Sequence, residues 1–462
     1  MQASPEVIRS ISGILRENDW RVTAFVRDAE LVGLAPTATQ PLGFAVDLGT
    51  TKIAAYLVDL ESGAELASAG APNPQIGYGE DVISRLNFVY RNPEGGATLA
   101  GKVHDTLNEV LGNLVVQAGV TRTQVVEACI VGNTAMTHLL LQLPVAQLAK
   151  APYVAAINEA LEVRAIALGL EMAPGATVYI PPCIGGFVGA DHVAMILGCD
   201  LDQSPKIALG VDIGTNTEIA LRVPGTQFMT SVSCASGPAF EGAHISEGMR
   251  AAAGAIEKVR ITSQGLELTT INDEPPVGLC GSGIIDLVAE LHRTGLINSR
   301  GRFQKASEAV RATENSLEFQ LVNAQNSGTG REIVIRQEDI NEIQLAKGAI
   351  HAGLEILLAI TGTAPEAVEE VIIAGAFGSF LNVENAIAMG LFPDLPQAVY
   401  RQVGNAAAIG AKWILISKTA RQRAQVIQKN TRYNELTTYP KFNRAFALGM
   451  LFPEKNETVQ NR

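Results

Sequence analysis

Two short stretches carry the residue types that grip phosphate: Asp47-Leu48-Gly49-Thr50-Thr51-Lys52 and Asp212-Ile213-Gly214-Thr215-Asn216-Thr217. Each lies between two apolar runs, from Leu42 to Tyr56 and from Ile207 to Leu221. That pattern reads as a strand, a tight glycine turn and a return strand. Gly49 and Gly214 let backbone approach an anion, while the threonines, Asn216 and Lys52 supply hydroxyl, amide and ammonium donors. Asp47 and Asp212, at the ends of buried strands, suit a magnesium ion held through water. A single such hairpin reads equally well as an ordinary glycine-turned hairpin. Two in one chain point to two similar domains facing each other across a nucleotide.

The elements that position these turns must come from a chain of 462 residues, long enough for two or more domains, each with its own core. Hydrophobic residues make up 47% and aromatics only 5%, so the core is built from Ala, Val, Ile and Leu, as in α/β proteins. The net charge of −12 argues against nucleic acid or an anionic membrane as the main partner. ATP is compatible with it, because amides and a cation make a nucleotide site locally positive. The five cysteines, at 129, 183, 199, 234 and 280, show no Cys-x-x-Cys spacing and fit small core thiols of a reduced, cytoplasmic protein. No basic-then-apolar leader is visible, and the longest uncharged run, Ala128 to Ala149, is interrupted by Asn133, His138, Gln142 and Pro144.

In chain order, residues 1–40 form a small appendage, with a helical pattern over Pro5–Glu17 and a short hairpin around Asp28. A first domain over 41–204 opens with the first hairpin; periodic Leu99, Val103, Leu107, Leu111 and Leu114 mark a helix, and Val125–Val131 a buried strand. A second domain over 205–462 opens with the second hairpin and carries a polar insertion near 300–335, expected as a hairpin. Ser236 and Pro238 fit a helix start, Glu338–Ile360 a long amphipathic helix, and Val371–Gly378 a strand entering a glycine turn.

Two phosphate hairpins followed by Ala374-Gly375-Ala376-Phe377-Gly378 resemble the actin, sugar-kinase and heat-shock-chaperone ATPase superfamily. The resemblance implies two actin-like (ribonuclease H-like) α/β domains flanking a nucleotide cleft. It also implies an adenosine loop at Gly375, Ala376 and Gly378, and two glycine- and alanine-rich helices, over 185–198 and 404–414, crossing at a hinge. GEDVISRL, VGNTAMTHLLL, GFVGADHVA, SGPAFEGAHI, GLCGSGIIDLV and IIAGAFGSFLN together are similar to one branch, the ATP-dependent reductive activators of corrinoid proteins. Membership implies a homodimer that uses ATP to help return cob(II)alamin to cob(I)alamin on a corrinoid methyl-carrier protein. Those activators usually carry an N-terminal ferredoxin-like domain, whereas here no cysteine precedes Cys129. The chain is therefore expected to be the nucleotide and partner module, with no iron–sulfur cluster of its own and a ferredoxin-type electron donor.

Asp191, opening the helical stretch after Gly189, can orient water or magnesium, or simply place charge at a helix N-terminus. Glu218, directly after the second turn, can serve similarly. Asn133 and Thr134, where strand meets helix, face a cleft or cap a turn. Gln344 and Lys347, one turn apart, border adenine and ribose or lie on a solvated helical face. Cys234 and Cys280 have no metal-ligand spacing around them and read as core thiols, although a bridging cluster of the hydroxyacyl-CoA dehydratase activator type is the competing use. A small-molecule kinase and a nucleotide-gated scaffold without turnover also remain open from the residues alone.

Overall fold

The computed structural model describes residues 2–304, 310–313, 316–375 and 381–454. The chain divides into two compact units, Met1–Gln203 with Asn405–Tyr433, and Ser204–Gly404 with Asn434–Arg462. From sequence, 405–433 belongs with the C-terminal half; in the structure it packs in the first unit. The cause is the small-residue face of helix Ala406–Ile416, which lies against helix Ala190–Gly198. A Cβ on Gly410 would strike the carbonyl of Ala194, and one on Gly198 the carbonyl of Ala406. Only glycine allows the two backbones to approach this closely.

The first unit is built on a sheet in the order Glu65–Pro72, Lys52–Asp59, Leu42–Leu48, Val125–Val131, Thr177–Ile180, Leu161–Arg164. The first three strands in sequence form an antiparallel meander; Val125–Val131 joins Leu42–Leu48 in parallel, and Thr177–Ile180 follows in parallel. Parallel neighbours need a crossover, and helix Gly95–Ala118 supplies it. Leu99, Val103, Leu107, Leu111 and Leu114 are buried on that helix, the face their spacing defines. The appendage packs here too: Arg27 pairs with Glu162, and Gly175 N–H donates to Val32 O (2.8 Å).

The second unit repeats the order. Val399–Gly404, Glu370–Ala374, Ala208–Ile213, Thr217–Arg222 and Met229–Cys234 are neighbours in one sheet, with the last three an antiparallel meander and the first two added in parallel. A three-strand meander plus parallel strands on the opposite edge of its first strand is the ribonuclease H-like arrangement, present once in each unit. Helix Gln337–Thr361 is long and apolar enough to cross a membrane by length and composition, but its apolar stretch is mostly buried inside the unit, and it is a core helix.

Two expected elements differ. The stretch from Ser236 makes only a 3₁₀ turn, Ala239–Glu241, because Gly242 takes φ +84° and ends it. The 300–335 insertion is a three-stranded sheet of Val310–Ala312, Leu317–Val322 and Ile333–Arg336 rather than a hairpin.

Candidate functional site: two acidic phosphate hairpins and their braces

In the first unit, Asp47 stands opposite Ala54 across the hairpin and beside Val131 of the parallel strand. Its side chain is half-buried, and burial pushes its carboxyl up to about 6, partly offset by a hydrogen bond from Asn405. That bond, Asn405 Nδ2 to Asp47 Oδ2, is 2.8 Å long, while Asn405 Oδ1 accepts from Ala408 N at 2.9 Å to cap helix Ala406–Ile416. One amide thus holds both the helix start and the carboxylate. The turn 49–51 is braced from behind: Asn73 Nδ2 donates to Gly49 O (2.8 Å), Arg85 Nη2 to Thr50 O (2.6 Å) and Asn73 N to Thr51 O (3.0 Å). Asn133 takes its expected capping role, accepting from Met136 N (2.9 Å), and its amide also donates to Thr50 Oγ1 (2.9 Å). Thr134 Oγ1 donates to Gly185 O at 2.5 Å. Asp191 opens its helix on the adjoining turn, its N–H on Gly132 O (3.3 Å) and its Oδ1 accepting from His192 N (2.8 Å). Asp47, Thr50, Asn133 and Asp191 therefore gather at the carboxyl ends of neighbouring parallel strands, where α/β folds place ligands. Lys52 is exposed.

The second unit repeats this edge. Asp212 lies opposite Glu218 and beside Ala374, as Asp47 lies beside Val131. The residue after each parallel strand is glycine. A Cβ on Gly132 would sit 2.9 Å from Leu48 O, and one on Gly375 2.5 Å from Ile213 O. Leu48 and Ile213 each follow the aspartate, so the two glycines answer the same close approach. Gly375 also has φ +96°. The second turn is one residue tighter: Ile213 pairs with Thr217, whereas Leu48 pairs with Ile53. Its bracing differs accordingly. Ser236 Oγ donates to Gly214 O (3.2 Å) and shares a hydrogen with Thr217 Oγ1 (2.9 Å); Thr215 Oγ1 donates to Glu241 Oε1 (2.8 Å). Glu218 Oε1 accepts from Ser233 Oγ (3.1 Å). Asn216 is half-buried at the tip. Ala376 and Gly378 of the expected adenosine loop lie outside the described residues.

Gln344 and Lys347 are not on a solvated face. Both are buried, Lys347 completely. Lys347 Nζ donates to Gly449 O and to Leu451 O (2.7 Å), and Gln344 Nε2 to Met450 O (2.8 Å). In the structure they tie the C-terminal segment to the long helix. Burial pushes the Lys347 ammonium down from 10.5 to about 7, and its nitrogen lies 5.5 Å from the centre of the Phe452 ring. With the folded pKa below the unfolded one, the native state binds fewer protons between those values, so stability rises with pH across roughly 7 to 10. Lys347→Met removes this dependence. Urea titrations of both proteins should show wild type gaining on the variant from pH 7 to 9, by up to about 1.4 kcal/mol per unit.

All five cysteines are free and buried, and burial raises the thiols of Cys129, Cys183 and Cys234 well above their ordinary value. Cys234 lies where a Cβ on Gly353 of the long helix would strike its sulfur, and Cys280 Sγ donates to Ile256 O (3.3 Å). Among the described residues no group of three or more His, Cys, Asp or Glu is placed to hold a metal by itself. A divalent cation would therefore depend on phosphate oxygens and water beside Asp47 or Asp212. The carboxyl of Asp47, half-buried and held by the Asn405 amide, fits such a cation.

Residues 206–462 match the family described as the C-terminal domain of RACo, the ASKHA domain, and 42–204 match the RACo middle region. The repeated sheet and its acidic hairpins accordingly make this an actin-like ATPase of the ASKHA class. The chain is 36% identical over 420 residues to "Corrinoid activation enzyme RamQ" of Eubacterium limosum, covering 89% of this chain and 70% of that protein. It is 27% identical over 413 residues to the "[Co(II) methylated amine-specific corrinoid protein] reductase" of Methanosarcina barkeri, covering 82% and 70%. A solved structure, "Reductive activator for corrinoid,iron-sulfur protein", superposes with a TM-score of 0.89 at 36% identity over 98% of this chain and 74% of that one. The chain belongs to the family of ATP-dependent reductive activators of corrinoid proteins.

Proposed function

We propose that this chain couples ATP binding and hydrolysis to reduction of cob(II)alamin to cob(I)alamin on a corrinoid methyl-carrier protein, with electrons from a ferredoxin-type donor. The observation that carries the reading is the duplicated edge: an aspartate, a donor-rich glycine turn and a close-approach glycine at the same place on both sheets. Asp47 and Asp212 would hold magnesium through water. Thr50, Thr51, Lys52, Thr215, Asn216 and Thr217 would bind phosphate oxygens, with Gly49 and Gly214 allowing the approach and Gly375 lying beside the nucleoside. When bound, magnesium neutralises charge developing on the phosphoryl oxygens. Asp191 and Glu218 are the candidates to orient the attacking water. ATP is needed because reducing cob(II)alamin is uphill for ordinary cellular donors. A nucleotide that changes this protein's affinity for one corrinoid state over another shifts the equilibrium by that differential alone. The protein would act as a homodimer in the cytoplasm.

Phosphate release from ATP should rise when the cob(II)alamin form of the carrier is added. Phosphate appearing on a sugar or acid, with no response to the carrier, would replace this reading with a small-molecule kinase. Cation binding favours the carboxylate of Asp47, whose folded pKa is raised to about 6. Below that pH protons compete, and affinity for magnesium–ATP should fall by up to about tenfold per unit. Calorimetry at pH 5 and 7 checks it; a flat profile would show that Asp47 stays ionised or does not take part.

A further inference from the structure

We propose that Arg85 is a positioning residue for the nucleotide phosphates, a buried guanidinium that sets the Thr50 carbonyl backward and lends the first turn positive charge. This rests on the nucleotide reading above. Arg85 lies on helix Val82–Arg91, is fully buried, and has no carboxylate within ion-pair distance among the described residues. Its four hydrogen bonds all go to neutral acceptors: Nη2 to Thr50 O (2.6 Å), Nε to Gly79 O (2.9 Å), Nη1 to Gln75 Oε1 (3.4 Å) and to Met136 Sδ (3.3 Å). Asp81, the acid closest in sequence, is engaged in capping the helix through Ser84 N (2.7 Å) and Ser84 Oγ (3.1 Å). Burial already pushes the guanidinium down to about 10.

A buried cation without a counter-ion is costly, and an apolar replacement of similar volume commonly does as well for folding. Its place supplies the missing compensation. In a trans peptide the carbonyl of one residue and the N–H of the next point to opposite sides. Asn73 and Arg85 draw the carbonyls of Gly49 and Thr50 into the body of the unit, so the N–H groups of Thr50 and Thr51 turn outward. The guanidinium charge then stands directly behind an outward row of amides, where an anion would complete it.

Gln75→Glu tests the charge without removing the arginine, because it places a carboxylate at the existing contact with Nη1 while keeping side-chain shape. Calorimetry with ATP, ADP and adenosine, alongside melting curves without nucleotide, should show a folded Gln75→Glu protein binding ATP about tenfold more weakly. ADP should lose less, and adenosine nothing. Arg85→Met should lose more, about a hundredfold for ATP, and Arg85→Lys should fall between, keeping charge but not the fork. If Arg85→Met does not fold, Gln75→Glu decides. Folded variants that bind ATP like wild type overturn the proposal, as does an equal loss for ATP and adenosine, which a purely structural role would give. Wild-type protein that binds no ATP would instead sink the nucleotide reading itself.

Discussion

Asp47→Asn and Asp212→Asn should each slow ATP-driven formation of cob(I)alamin by about a hundredfold or more, while leaving the melting temperature within a few degrees of wild type. The expectation follows from the environment of each carboxylate. Asn405 Nδ2 donates to Asp47 Oδ2, and an asparagine at 47 still offers an oxygen to that donor. Shape and the helix cap survive, and the negative charge is lost. Burial already disfavours the charged form of Asp47, so neutralising it does not weaken the fold. Asp212 occupies the same register position on the second sheet, beside Ala374 and opposite Glu218. Its replacement should therefore act alike. A variant of one hairpin that kept full activity would confine phosphate chemistry to the other, and the duplication would then be a relic of the fold.

Gly410→Ala should destabilise the first unit by about 3 kcal/mol or more, an effect large enough to read in a urea titration. The added methyl would overlap the carbonyl of Ala194, a backbone atom, so no rotamer change can relieve it. Helices Ala190–Gly198 and Ala406–Ile416 must separate, and two candidate site residues move with them. Asp191 opens the first helix, and Asn405 opens the second with its amide on Asp47. Whatever fraction folds should therefore bind nucleotide less well than wild type. Gly101→Ala is the control, since a Cβ there meets nothing and alanine favours an exposed helix.

The hairpins are legible because their signal is local. An apolar run, Asp-x-Gly-Thr and a second run specify a strand, a turn and a return within fifteen residues, and the ladders from Asp47 to Ala54 and from Asp212 to Glu218 follow. Helix Gly95–Ala118 is equally plain from its leucine spacing. What pairs across long separations is not. Nothing in residues 85 or 405 marks them as partners of residues 50 and 47, because one sequence records types and spacings, not contacts. Asn405 does leave a trace, an asparagine before an alanine-rich run, which is a helix cap signal. Lys347 misleads for a physical reason: lysine is almost never fully buried, and the carbonyls that receive it come from a segment a hundred residues on. Helix Lys418–Lys429 gives little sign of itself in sequence because it is mostly polar, with only Ala424 and Ile427 buried.

The most direct test mixes this protein with a corrinoid carrier in the cob(II)alamin state and a competent electron donor, and follows the cob(I)alamin absorption band with and without magnesium–ATP. Growth of the band only when ATP is present, and its loss with Asp47→Asn, is the predicted result. A band that develops equally without ATP, or fails to develop with it, would contradict the assignment.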